Sequence, residues 1–104
     1  MGYKFNSKRY ITRGIDNTLP LDIQFILFQS IELMRRKVEE LDWLQVMTLE
    51  TIKQDDVKVL HITHEQEQPE GKLEYYISVE STIKCKVFVV DDIEYVTMLL
   101  AEEY

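Results

Sequence analysis

A chain of 104 residues has room for one domain, and two independently folding domains do not fit in it. Hydrophobic residues make up 45% and charged residues 30%, with three glycines and two prolines, which excludes a disordered, collagen-like or low-complexity segment. The net charge of −7 disfavours direct binding to nucleic acid or anionic lipid, and a single cysteine excludes an intramolecular disulfide.

The first fifteen residues are basic but hold no unbroken apolar run and no small-residue cleavage site, so no secretory signal is expected. No stretch approaches the roughly 18 apolar residues that a membrane span needs. Both readings point to a cytoplasmic protein. Residues 1 to 14 carry Lys4, Lys8, Arg9 and Arg13 with no acid, whereas the remainder holds eight bases against nineteen acids. The chain is therefore divided into a basic arm, residues 1–7, which either moves or lies on an acidic body, and a single α+β domain, residues 8–104.

Tyr10 to Ile15 reads as a first strand. A helix follows from Leu19 or Pro20 to Leu41: Thr18 or Asn17 can cap it, Pro20 suits a first turn, and Asp22 favours the positive end of the dipole. Ile23, Leu27, Ile31, Met34, Val38 and Leu41 recur at helical spacing and form a stripe for burial against a sheet. Leu21, Phe25 and Phe28 widen the apolar surface of the first half beyond that stripe, which is explained first by burial under the N-terminal segment or the C-terminal strand and otherwise by an association surface.

After Asp42 the period changes to two. Leu44 to Ile52, Val57 to Thr63, Leu73 to Val79, Ile83 to Val90 and Tyr95 to Leu100 read as strands, and the segments between them are too short for crossover helices. The expected order is β-α-β-β-β-β-β: a curved antiparallel sheet of successive hairpins with one long helix packed on one face. Alternation turns Leu73, Tyr75, Ile77, Cys85, Val87 and Val89 inward. Val57 to His64 alternates less cleanly and is expected to be central and covered on both faces.

No residue pattern announces an activity. His61 and His64 sit beside Glu65 and Glu67, yet residues three apart on a strand project to opposite faces and cannot close on one ion, so no metal and no cofactor is expected. Cys85 lies on an apolar strand face, where a thiol packs as a small hydrophobe, and no glycine pattern forms a phosphate loop. Acid pairs such as Asp55-Asp56 and Asp91-Asp92 fall in turns. No catalytic residue emerges. The tyrosines could stack bases, but their neighbours Glu74, Glu80 and Glu94 are acids, and stacking platforms usually carry bases.

Certain strings are more distinctive: Lys8 to Ile15, Leu19-Pro20 with Gln24 and Phe28, Asp42 to Gln45, Ile62 to Glu67, Val87 to Asp92 and Thr97 to Tyr104. Through them the chain, from about Lys8 to Tyr104, resembles the domain-of-unknown-function family numbered 960, small proteins of Gram-positive Firmicutes and of their phages and mobile elements. Phe28 stands where that pattern has a tryptophan. The resemblance implies a setting and no activity.

The leading expectation is a non-enzymatic, acidic protein-interaction module whose partner is another protein. Its predicted contacts are Arg9 and Arg13, placed on one face of the first strand, and His64, Glu65, Glu67 and Glu70 in a long polar loop from His64 to Lys72. Homo-oligomers through Leu21, Phe25 and Phe28 are consistent with this reading. A second reading is a small-molecule or nucleotide binder with hydrolytic capability and a pocket near His61 and His64. A third is an acidic inhibitor that mimics DNA.

Overall fold

Period-two segments pair into a sheet when one face can be buried, and here the burial comes from a single helix. A computed structural model describes residues 2–104 and contains strands β1 (Lys8–Ile11), β2 (Leu44–Gln54), β3 (Val57–Gln66), β4 (Gly71–Ser78), β5 (Lys84–Asp91) and β6 (Tyr95–Leu100). Helices α1 (Arg13–Thr18) and α2 (Leu21–Lys37) lie between β1 and β2, and a 3-10 turn covers Ala101–Glu103. The six strands form one open sheet in the order β1-β6-β5-β2-β3-β4. The fold is α+β in a single domain, with one long helix on one face of the sheet and a radius of gyration of 13.5 Å.

Two features of the topology differ from a run of hairpins. First, β1 pairs with β6 in parallel, Lys8 opposite Tyr95 and Ile11 opposite Met98. Second, β4 and β5 are not neighbours: residues 79–83 pass across the end of the β2–β3 hairpin and set β5 against the far side of β2. Hydrogen bonds hold this crossing at each step, Val79 N to Lys58 O (3.1 Å), Ile83 N to Thr51 Oγ1 (2.8 Å) and Thr51 N to Ile83 O (2.8 Å). Buried Ile83 anchors it in the core.

The predicted long helix is α2, which begins at Leu21 with Pro20 and not Thr18 or Asn17 at its cap, and a short helix, α1, precedes it where none was expected. The strand predicted to reach Ile15 ends at Ile11, because Thr12 turns the chain: its hydroxyl accepts from Ile15 N and caps α1. Leu19 and Pro20 then separate α1 from α2. At the other end α2 stops at Lys37 and not at Leu41, since Val38 takes an extended backbone (φ −114°, ψ 160°). Val38 and Leu41 are still covered, Val38 against Gly71 and Leu41 beside the bridge from Tyr3, so the apolar stripe is buried without the helix continuing.

The core lies between α2 and the sheet. Ile23, Leu27, Ile31 and Met34 face Met47 and Leu49 of β2, Leu60 and Ile62 of β3, Val87 and Val89 of β5, and Met98 of β6. The inward alternation read from β4 and β5 holds. β3 is not covered on both faces: Leu60, Ile62 and His64 are buried, while Val57 on the other side is exposed. Tyr3 N donates to Leu41 O, and Phe5, within the segment expected as an arm, is only 2% exposed. Among the described residues no helix is long and apolar enough to cross a membrane.

Candidate functional site

Two places in this fold gather polar or aromatic side chains, one sealed and one open. The sealed one joins α2 to the sheet. Ser30 Oγ lies 2.7 Å from His64 Nδ1, and His64 Nε2 lies 2.7 Å from Gln45 Oε1. Gln45 Nε2 donates to Gln66 Oε1 (2.8 Å) and to the Asp42 carbonyl (2.9 Å), so its Oε1 can only accept. His64 therefore carries its proton on Nε2, and Nδ1 accepts from the Ser30 hydroxyl.

A hydroxyl, an imidazole and an orienting amide in series have the composition of a nucleophile with its base. The burial removes that chemistry: Ser30, His64 and Gln45 each have no exposed surface. Burial also pushes the His64 imidazole down to about 4, which keeps it neutral. What remains is a structural function. The chain of hydrogen bonds fixes one register of α2 on β2 and β3, since a slip of one helical turn would strand each of these groups. The Tyr75 hydroxyl approaches Ser30 without hydrogen-bonding geometry, and burial raises its pKa.

The open place is the face of the sheet turned away from α2. The register aligns its side chains in rows: Tyr10, Thr97, Val90 and Leu44 in one, and Leu99, Phe88, Val46, Glu65 and Lys72 in the next. Tyr10 packs edge-on against Tyr95, and Tyr104 packs edge-on against Phe88, both with centroids 5.6 Å apart. Further along, Lys84 pairs with Glu50 (3.8 Å), His61 bonds Glu74 (2.6 Å) and His61 stacks on Tyr76 (4.5 Å). At one end a half-open groove of about 1110 Å³ is lined by Trp43, Leu44, Val46 and Phe88, by Glu65, Glu67 and Glu70, and by Lys37, Lys72 and Lys86.

The distinctive strings of the sequence are matched by a family model described as a Staphylococcal protein of unknown function (DUF960), over residues 8–103. The chain belongs to that family. A crystal structure of a protein of unknown function from Enterococcus faecalis is similar to this DUF960 chain, with 21% identity and a TM-score of 0.65, covering 97% of this chain and 93% of that one. At that identity the likeness concerns the fold. No curated protein matches the chain.

In this DUF960 member the predicted site residues separate. Arg9 is exposed on β1, its guanidinium 4.8 Å from the Phe28 ring centroid, whereas Arg13 opens α1, so the two do not share a strand face. His64 is sealed and cannot touch a partner. It also projects from the face of β3 opposite to His61, so the two cannot line one pocket. The long loop predicted from His64 to Lys72 is a four-residue turn, because β3 runs to Gln66 and β4 begins at Gly71. Gln66 closes it by donating to Pro69 O (2.7 Å) and Glu40 O (3.0 Å). Glu65, Glu67 and Glu70 are exposed and meet on the groove. Leu21 and Phe25 are exposed at 76% and 62%, and Phe28 is half-buried under Arg9. Of the open face, the sequence reading raises Tyr10, Tyr76, Tyr95 and Tyr104 as strand-borne aromatics and misses that Val46, Phe88, Val90 and Leu99 continue their surface.

Proposed function

We propose that this DUF960 protein is a non-enzymatic protein-interaction module that engages its partner through the uncovered face of its sheet. The observation that carries the reading is the asymmetry of covering: α2 buries one face, while the other presents Tyr10, Tyr95, Phe88, Leu99 and Tyr104 in adjacent rows. Aromatic residues that combine large contact area with few rotatable bonds dominate protein interfaces, and contiguous apolar patches of this kind mark them. The groove beside Trp43 would take an apolar anchor from the partner, and the glutamates and lysines that line it would pair with charges of both signs next to that anchor. The face also carries Lys8, Lys72, Lys84 and Lys86 among its acids, so it lacks the unbroken row of carboxylates that imitation of a nucleic acid backbone requires.

A photoreactive residue placed at Thr97, in the middle of the face, tests this reading. It should cross-link a partner that the same residue at Glu39 does not, and Leu99→Lys should abolish the cross-link while leaving the fold intact. Undiminished capture by Leu99→Lys and Phe88→Lys would dismiss the sheet face as the site.

A further inference from the structure

The outward side of α2 is a second unpartnered surface, independent of the sheet face. Leu21, Phe25 and Leu33 are 76%, 62% and 46% exposed there. At 100° per residue, Asp22, Phe25, Gln29, Leu33 and Arg36 lie within about 40° of one line along the helix. Their spacing of three, four, four and three keeps them on one face of the helix. Gln29 is at its centre. Asp22 and Arg36 stand seven residues to either side of it, and Phe25 and Leu33 stand four to either side. Inverting this line about Gln29 exchanges acid for base and aromatic for aliphatic, so the pattern is complementary to itself run backwards.

That property selects the occupant. A two-fold contact requires a surface that matches its own inverted copy, and an unrelated partner requires no such relation. We propose that two copies of this chain associate through α2, packed antiparallel about a two-fold axis at Gln29. Asp22 of each copy then faces Arg36 of the other, Phe25 packs on Leu33, and the two Gln29 amides meet at the axis. The charged ends are available for it: Arg36 makes no salt bridge among the described residues, although it lies close enough to Glu32 to help lower that carboxyl's pKa. Asp22 uses one oxygen on its own helix, accepting from Ile23 N at 2.9 Å, and keeps the second. Phe28 lies outside this line, under Arg9.

Sedimentation equilibrium over a range of concentrations tests the contact, with circular dichroism to check that each variant stays folded. The unmodified chain should pass from monomer to dimer. Phe25→Glu should remain monomeric. Asp22→Arg alone and Arg36→Asp alone should each weaken the dimer by about tenfold or more, because the two-fold counts every charge pair twice. Mixed together, those two single variants should form a heterodimer, and the double variant Asp22→Arg with Arg36→Asp should restore the homodimer. A chain that stays monomeric throughout, or a dimer that ignores the charge exchange, overturns the proposal. Leu99→Lys on the sheet face should leave the dimer unchanged. Loss of the dimer there would move self-association to the face assigned to the partner, and loss of partner capture there with the dimer intact would separate the two surfaces.

Discussion

The carboxylate of Asp91 is buried at the end of β5 and holds both sides of a junction: its Oδ2 accepts from Phe5 N at 2.9 Å and its Oδ1 from Ile93 N at 2.8 Å. Phe5 has a left-handed backbone (φ 51°), and this bond fixes that conformation while the ring fills the core. The basic N-terminal segment is thereby tied to the sheet 86 positions away. Asp91→Ala should cost about 2 kcal/mol, the range for a buried hydrogen bond to a charged group, and should free Tyr3 and Phe5 together. Hydrogen exchange would then show early loss of protection at the amides of Tyr3 and Phe5. Asp91→Asn, which keeps one acceptor, should lose less.

His64 gives the protein an acid sensitivity with a defined window. Burial holds its imidazole at about 4, against 6.5 for a solvated histidine. In the unfolded chain the ring takes up a proton as pH falls through 6.5, and in the folded chain it does so only near 4. Stability is therefore complete above pH 6.5 and declines between 6.5 and 4, by about 3 kcal/mol at one unit per 1.36 kcal/mol. Urea midpoints measured across that range should fall in the unmodified chain and stay nearly level in His64→Gln, itself less stable at neutral pH. The carboxyls of Glu32 and Glu103 are lowered by Arg35 and Thr12 respectively, so their own losses come at lower pH and are common to both chains. Parallel curves for the two chains between pH 6.5 and 4 would show that His64 does not titrate in this way.

The fold class was legible because most strands keep a strict period of two and α2 keeps its stripe at three and four. The topology was not. The crossing at residues 79–83 depends on hydrogen bonds between Thr51 and Ile83, 32 positions apart, and no local pattern encodes them. Helix α1 was hidden for a related reason: its cap is completed from the other end of the chain, where Glu103 accepts from the Thr12 hydroxyl at 2.7 Å. His64 was misassigned because an outward turn and an inward strand look alike in a polar sequence. What distinguishes them is Ser30 and Gln45, on two other elements, which supply the partners that a buried imidazole needs.

Gly71 and Gly14 should respond differently to the same added methyl group. A Cβ at Gly71 would stand 2.7 Å from Val38 Cγ1 and 2.9 Å from Met34 Sδ, where α2 closes on the start of β4. Gly71→Ala should cost about 1–3 kcal/mol through overpacking. A Cβ at Gly14 would instead meet the Glu103 carboxylate, on an exposed and flexible side chain that can move aside. Alanine is favoured over glycine in a helix by about 1 kcal/mol, which offsets the weakened cap, so Gly14→Ala should change stability by less than that. Thermal denaturation of the two variants side by side decides it, and equal losses would contradict the packing argument.

Two turns carry left-handed backbone on residues that resist it, and relieving them should stabilise the protein. Asp55 and Asp56 join β2 to β3 with φ of 48° and 67°, the geometry of a two-residue hairpin turn that favours asparagine and glycine. Ile93, between β5 and β6, has φ of 82° with a β-branched side chain that is 70% exposed. Its burial contributes little to offset the strain, and β-branched residues tolerate this region worse than aspartate does. Ile93→Gly should therefore gain about 1 kcal/mol, less the entropy of a freer unfolded chain, and Asp56→Gly should gain a smaller amount. The order matters more than the size: if denaturant unfolding ranks Asp56→Gly above Ile93→Gly, or finds Ile93→Gly destabilising, then the isoleucine side chain is making a contact that outweighs its backbone strain.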